Sequence, residues 1–236
     1  MRTLSVVRLH AMATLILGLM SGGCAMAQSA ASATAAKPTE MRIANAPIPM
    51  RILAQSPAET DTELQIICLF RSEPSNTLHG SLAEVNEKLT GLLDRIRQPS
   101  LFRGELGETL LIRPPAGSLR AKRVLIIGLG DSQTFTPERM ELVGAVAYRE
   151  ANRAGVAHPF FAPTVIDGGV TKFTTGQVAE QVVSGFLRAA RAHKVIMDAG
   201  ATSEAVIQDL TYLAGPTHAT ETREGIERAI AGDAGK

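Results

Sequence analysis

Two stretches constrain this chain most: "LQIICLF" from Leu64 and "VLIIGLG" from Val124. Both are apolar at nearly every position. A strand with one face in water alternates apolar and polar residues, so a run without alternation has both faces covered. Such strands belong to a sheet sandwiched between helices. The segments around them supply those helices. Leu82, Val85, Leu89, Leu92 and Ile96 recur at three- and four-residue steps, which predicts one helix over 78–97. Met140, Val143, Ala147 and Ala151 mark a second helix, with Thr136 as its cap and Pro137 at its first position. Val178, Val182, Phe186 and Ala189 mark a third, from about Thr175 to His193. "GELGETLLIRPP", "HPFFAPTVIDGG" and "AVIQDLTYLAG" read as further strands, the second interrupted by Pro159 and Pro163. "MRIANAPIPMRILAQ" is extended, and Pro47 and Pro49 restrict it to one edge or bulged strand. The expected fold is α/β, a three-layer sandwich with a mixed β-sheet.

The first 27 residues are set apart from that fold. Arg2 and Arg8 precede an apolar stretch from Ala11 to Met20, and Ala25-Met26-Ala27 is a small-x-small site. This is the pattern of a secretory signal peptide cleaved near Ala27. The apolar core is short of the ~20 residues of a membrane span. "SGGC" also allows lipid attachment at Cys24, although Ser21 stands where a lipoprotein signal usually carries Leu. The expectation is a periplasmic or secreted protein without a membrane span. Residues 28–40, "QSAASATAAKPTE", are small, polar and aperiodic, as in a disordered linker. One domain over 41–216 follows, then a C-terminal helix and frayed tail over 217–236.

Charge excludes one class of partner. The chain has 24 basic and 23 acidic residues, and two of the basic ones lie in the signal. A near-neutral chain lacks the field that neutralises nucleic-acid phosphates. "RAKR" at 120–123 reads as a solvated lead-in to a strand. Cleavage near Ala27 leaves Cys68 without a disulfide partner. Its place in "LQIICLF" is that of a small buried hydrophobe.

No metal or nucleophile signature stands out. His10, His79, His158, His193 and His218 are scattered, with no H-E-x-x-H or C-x-x-C spacing. "VVSGF" around Ser184 lacks the first Gly of a nucleophile elbow, which leaves Ser184 as a packing residue. Asp167 precedes Gly168-Gly169, a turn composition, with no partner acid or base identified. Two glycine loops remain, each after a strand and before a helix. One holds Gly128, Gly130 and Asp131; the other holds Gly168, Gly169 and Lys172. If their strands are parallel, both open at one sheet edge, where α/β sheets bind ligands. Helix-start amides there favour an anion. The fingerprint is incomplete, since Gln133 stands where a third Gly belongs and Asp131 repels a pyrophosphate.

"RVLIIGLGDSQTFTPERMELVGAVAYREANRAG" and "VAEQVVSGFLRAARA" resemble the N-terminal domain of the leucyl aminopeptidases, the cytosol aminopeptidase family. The upstream strand, connection and strand from "LLDRIRQPS" to "VLIIGLG" fit the same layout, so the resemblance runs from about Glu63 to Ala192. It implies a macro-domain-like fold. It also implies a second, C-terminal domain that binds two metal ions and contains an "NTDAEGR" segment, which these residues do not include. No catalytic residue of the family is carried over to any position here, and no metal or other cofactor is expected. The expected function is an exported, non-catalytic binding or assembly module with an unidentified protein or peptide partner, or self-association. The alternatives are a nucleotide or ADP-ribose-like ligand at the two glycine loops, an accessory role in aminopeptidase-type proteolysis, and new chemistry at Asp167 or Cys68.

Overall fold

The computed structural model describes residues 39–72, 77–98, 101–202 and 207–234. The signal peptide, Cys24 and the linker up to residue 38 lie outside the described residues. Among the described residues, seven strands form one sheet: β1 (Glu40–Ile43), β2 (Met50–Leu53), β3 (Gln65–Leu69), β4 (Thr109–Ile112), β5 (Val124–Gly128), β6 (Phe160–Ala162) and β7 (Leu210–Leu213). Their order is β1-β2-β7-β6-β3-β5-β4. The five central strands run parallel, and β1 and β4 close the two edges antiparallel.

The unbroken apolar runs have a direct explanation. In β3, Ile66 and Cys68 face one core, while Ile67 and Leu69 face another. In β5, Leu125 and Ile127 face the first core, and Val124 and Ile126 the second. The first core lies under α3 (Arg139–Arg153), α4 (Thr175–Asp198) and α5 (Ala219–Asp233). The second lies under α1 (Gly80–Lys88) and α2 (Leu92–Ile96). This is a three-layer α/β sandwich with a mixed sheet, as the patterning predicts.

Three local expectations are corrected. The single helix over 78–97 is two, α1 and α2, because Thr90 and Gly91 adopt left-handed φ of 53° and 75° between them. The apolar period continues across the break, so periodicity alone joins the two. "MRIANAPIPMRILAQ" is two strands, β1 and β2, paired as a hairpin with Glu40 opposite Leu53. Pro47 and Pro49 fall in the connection, where no ladder hydrogen bond is needed. Thr136 does not cap α3. Its side chain bonds the Glu138 carboxylate instead, and the helix proper begins at Arg139 after a tight turn from Pro137.

Glycines set the spacing of the helical layer. A Cβ on Gly185 of α4 would sit 2.7 Å from the backbone carbon of Glu141 in α3. One on Gly144 of α3 would sit 2.8 Å from that of Val182 in α4. Gly176 and Gly225 bring α4 and α5 together in the same way. Helix α5 thus packs into the same core as the rest.

Candidate functional site

The parallel strands point their carboxyl ends at one edge, and a cavity of about 400 Å³ opens there. It lies beyond β2, β6 and β7 and beside the first residues of α1, α4 and α5. Ala162, Val165, Phe173, Val178 and Leu213 give it mostly apolar walls. Ser56, Ser81, Asp167, Thr175 and His218 add polar groups.

The cavity exists because β6 stops early. Pro163 follows its third residue, and the chain leaves the sheet. Thr164 then completes the ladder by side chain: its hydroxyl accepts from the Cys68 N–H at 2.9 Å and donates to the Cys68 carbonyl at 2.7 Å. Thr164 has a φ of 48°, which turns the backbone away and leaves room at the sheet edge.

Asp167 sits in the wall. Its carboxylate accepts from the Ser81 hydroxyl, and its carbonyl accepts from the His79 N–H at 2.9 Å. It also accepts from the Ser81 backbone. A residue far along the chain therefore caps the N-terminus of α1. Burial raises the Asp167 carboxyl above its ordinary range; the Ser81 bonds and the neighbouring His79 oppose this, and Glu84 adds to it. The start of α4 is closed in a similar way. Thr174 and Gln177 form a reciprocal capping box. The Glu221 carboxylate, from α5, accepts from the Thr175 N–H at 3.2 Å and its hydroxyl at 2.7 Å.

None of Gly128, Gly130, Asp131, Gly168, Gly169 and Lys172 lines this cavity, although Asp167, Phe173, Thr174 and Thr175, from the same stretch as the second loop, do. The two glycine loops lie at the same sheet edge, because β5 and β6 are both parallel to β3, which separates them. The Gly128 N–H donates to Glu108 at 2.8 Å, and the Gly130 N–H to Gly104 at 2.7 Å. Asp131 accepts from the Gln133 N–H at 2.7 Å, closing its own turn. The Gly168 and Gly169 amides donate to Thr164 and Ile166 at 3.0 and 2.9 Å. A Cβ on Gly168 would lie 2.6 Å from the Phe70 ring, so this glycine makes room for an aromatic. Lys172 is exposed, with its ammonium 5.0 Å above the Phe173 ring. The amides of all four glycines are thus used inside the chain. Ser184 lies on α4.

Tyr212, Ser81 and Glu221 are site residues that sequence reasoning misses. Tyr212 is 1% exposed, and among the described residues its hydroxyl has no hydrogen-bond partner. Only the Thr174-x-x-Gln177 spacing announced anything locally. The Asp167–Ser81 and Glu221–Thr175 bonds join residues 86 and 46 positions apart, which no local pattern encodes.

Cys68 is fully buried in β3, and burial drives its thiol pKa far up. Only a thiolate reacts readily. In the native protein, peptide mapping after brief treatment with Ellman's reagent is expected to find Cys68 unmodified. Full modification should appear only in denaturant. Rapid native labelling at Cys68 would show that β3 opens.

Among the described residues, no three His, Cys, Asp or Glu side chains come together as a metal site would need. The fold is that of a macrodomain-like α/β module. The Oceanobacillus iheyensis macrodomain, in a mutant form, matches with a TM-score of 0.55 at 12% identity, over 85% of this chain and 98% of that one. The same macrodomain solved with ADP matches with a TM-score of 0.55 at 11% identity, over 83% and 98%. A mutant of tomato leucine aminopeptidase matches with a TM-score of 0.57 at 21% identity, over 84% of this chain and 38% of that one.

Sequence narrows the class to a family. Residues 66–191 match the cytosol aminopeptidase family, N-terminal domain. This chain belongs to that family. A probable cytosol aminopeptidase of Roseiflexus castenholzii is 28% identical over 178 residues, 75% of this chain and 33% of the relative. One from Cyanothece is 28% identical over 104 residues, 44% of this chain and 21% of the relative. The alignments thus span from about a fifth to a third of these relatives' length.

Proposed function

We propose that this chain is an exported, non-catalytic ligand-binding module of the cytosol aminopeptidase family, working through the cavity at the carboxyl edge of its sheet. The observation that carries this reading is the cavity itself. Its volume of about 400 Å³ falls in the range of small-molecule sites, which join apolar walls to a few placed polar groups. Its location is where open α/β sheets hold ligands. A macrodomain of the same fold has been solved with ADP, which supports ligand binding as a use of this architecture. The matched residues are those of the family's N-terminal domain, and the resemblance implies that the family's metal ligands belong to a different domain. Export rests on the pattern of Met1–Ala27.

Two measurements test the reading. A fragment screen followed by amide chemical shifts is expected to place hits at Val165, Thr175 and Leu213. Hits that consistently avoid these residues would overturn the cavity as the site. Purified protein with Mn²⁺ or Zn²⁺ is expected to release no p-nitroaniline from Leu-p-nitroanilide. Metal-dependent release would refute the non-catalytic assignment.

A protein partner is the second reading, and one surface feature favours it. Val195 and Ile196 on the last turns of α4 are 68% and 46% exposed. Sedimentation of the Val195→Lys variant against the parent distinguishes self-association there from a monomer.

A further inference from the structure

The cavity also selects the charge of what enters it, and this inference rests on the cavity being a ligand site. Among the described residues, no Lys or Arg lines it. Asp167 stands in the wall, and two more carboxylates stand directly behind polar wall residues. Glu84 accepts from the Ser56 hydroxyl at 2.5 Å, and Glu221 accepts from the Thr175 hydroxyl at 2.7 Å. The other ionisable groups in the wall are His218 and Tyr212.

Helix N-termini usually bring anions to such an edge, through free amides and the helix dipole. Here that role is already filled. Asp167 occupies the start of α1, and Glu221 with the Thr174–Gln177 box occupies the start of α4. A phosphate or carboxylate would meet Asp167 in the wall, with Glu221 and the more exposed Glu84 behind it, and among the described residues no Lys or Arg of the wall offsets them. A cation meets the opposite field, which strengthens as water leaves the apolar walls.

A second observation concerns hydrogen bonding. Tyr212 lines the same cavity, is 1% exposed, and keeps a hydroxyl without a partner among the described residues. A buried hydroxyl left unpaired carries a desolvation cost, so a ligand acceptor that reaches it recovers that loss.

We propose that the cavity binds a small cationic ligand, an apolar primary amine whose ammonium group pairs with Asp167 and whose body offers a hydrogen-bond acceptor to Tyr212. The same fold can therefore carry opposite ligand charge in different proteins, because internal carboxylates here replace the anion at the helix starts. The raised carboxyl of Asp167, which Glu84 and His79 face from α1 and the residue before it, gives a pH signature. Amine affinity is present where Asp167 is ionised, and is lost as pH falls through its raised pKa.

The test uses three molecules that differ in the charge of one end: 2-(4-methoxyphenyl)ethylamine, 2-(4-methoxyphenyl)ethanol and 4-methoxyphenylacetate. ADP is the fourth probe. Each is titrated into the purified chain at low ionic strength, and the amide shifts of Val165, Asp167 and Leu213 are followed. The amine is expected to bind at least about tenfold tighter than the acetate or ADP. Asp167→Asn keeps an acceptor for Ser81 and is expected to reduce the amine to the affinity of the alcohol. Glu84→Gln, which leaves the α1 cap intact, is expected to weaken the amine about threefold, so the charge effect is read even if Asp167→Asn unfolds. Tyr212→Phe is expected to weaken all three aromatic probes without changing their order. Equal or tighter binding of the acetate or ADP overturns the proposal. An alcohol that binds as well as the amine removes the charge assignment but leaves the cavity as a site. If none of the four shifts these amides, the proposal and the cavity reading both fall.

Discussion

Gly185→Ala is expected to destabilise the fold by about 2 kcal/mol. Two effects oppose each other. Alanine gains up to ~1 kcal/mol over glycine in a helix interior. The added Cβ, however, would lie 2.7 Å from the backbone carbon of Glu141 and 3.0 Å from its Cα. Backbone cannot rotate away as a side chain does, so α3 and α4 must separate. Overpacking of this kind costs up to about 3 kcal/mol, which exceeds the propensity gain. Gly232 on α5 is the control, since nothing lies within 4 Å of its added Cβ. Gly232→Ala is expected to stabilise by up to ~1 kcal/mol. Urea unfolding of both variants decides the matter. Equal stabilisation by the two substitutions would mean that α3 and α4 do not cross at backbone contact.

Gly128→Ala carries the second large effect, about 3 kcal/mol of lost stability from the same kind of clash. Its Cβ would collide with the Glu105 carbonyl and lie 2.7 Å from the Gly104 backbone carbon. The Gly128 carbonyl also accepts from the Gly107 N–H at 2.9 Å, while its own N–H is held by Glu108. Relief therefore means moving β5 away from the turn that leads into β4. Thermal unfolding and hydrogen exchange at the Gly130 amide measure this loss. A glycine kept for phosphate would behave differently. Its replacement would leave stability near the parent value and remove an anion-dependent shift. A stable Gly128→Ala protein that has lost phosphate binding would contradict the packing account.

The legible parts of this fold are those with a strong local cause. β3 and β5 were readable because a strand buried on both faces cannot hide its composition. α3 and α4 were readable because one face of each meets a core at a regular period. The break at Thr90-Gly91 was not, since the apolar positions keep their spacing across it. Nor was the insertion of β2 beside β7, whose pairing of Met50 with Leu210 joins distant parts of the chain. Of the residues named from the sequence for the two glycine loops, none lines the cavity. Asp167, weighed as a turn residue, stands in its wall and caps a helix from afar. Its carboxylate reaches Ser81 only because the β6–α4 connection passes over the start of α1.

The sequence by itself determined that this chain makes a covered mixed sheet and which family it resembles. Apolar periodicity and the order of motifs are local properties, and they survive without the fold. The ligand edge was decided by the tertiary structure alone. Whether a glycine-rich turn offers free amides depends on which distant carbonyls reach it, and here Gly104, Glu108, Thr164 and Ile166 do. Whether a helix start attracts an anion depends on which carboxylate already sits there. Asp167 and Glu221 hold those positions, and the charge of the cavity follows from that long-range placement.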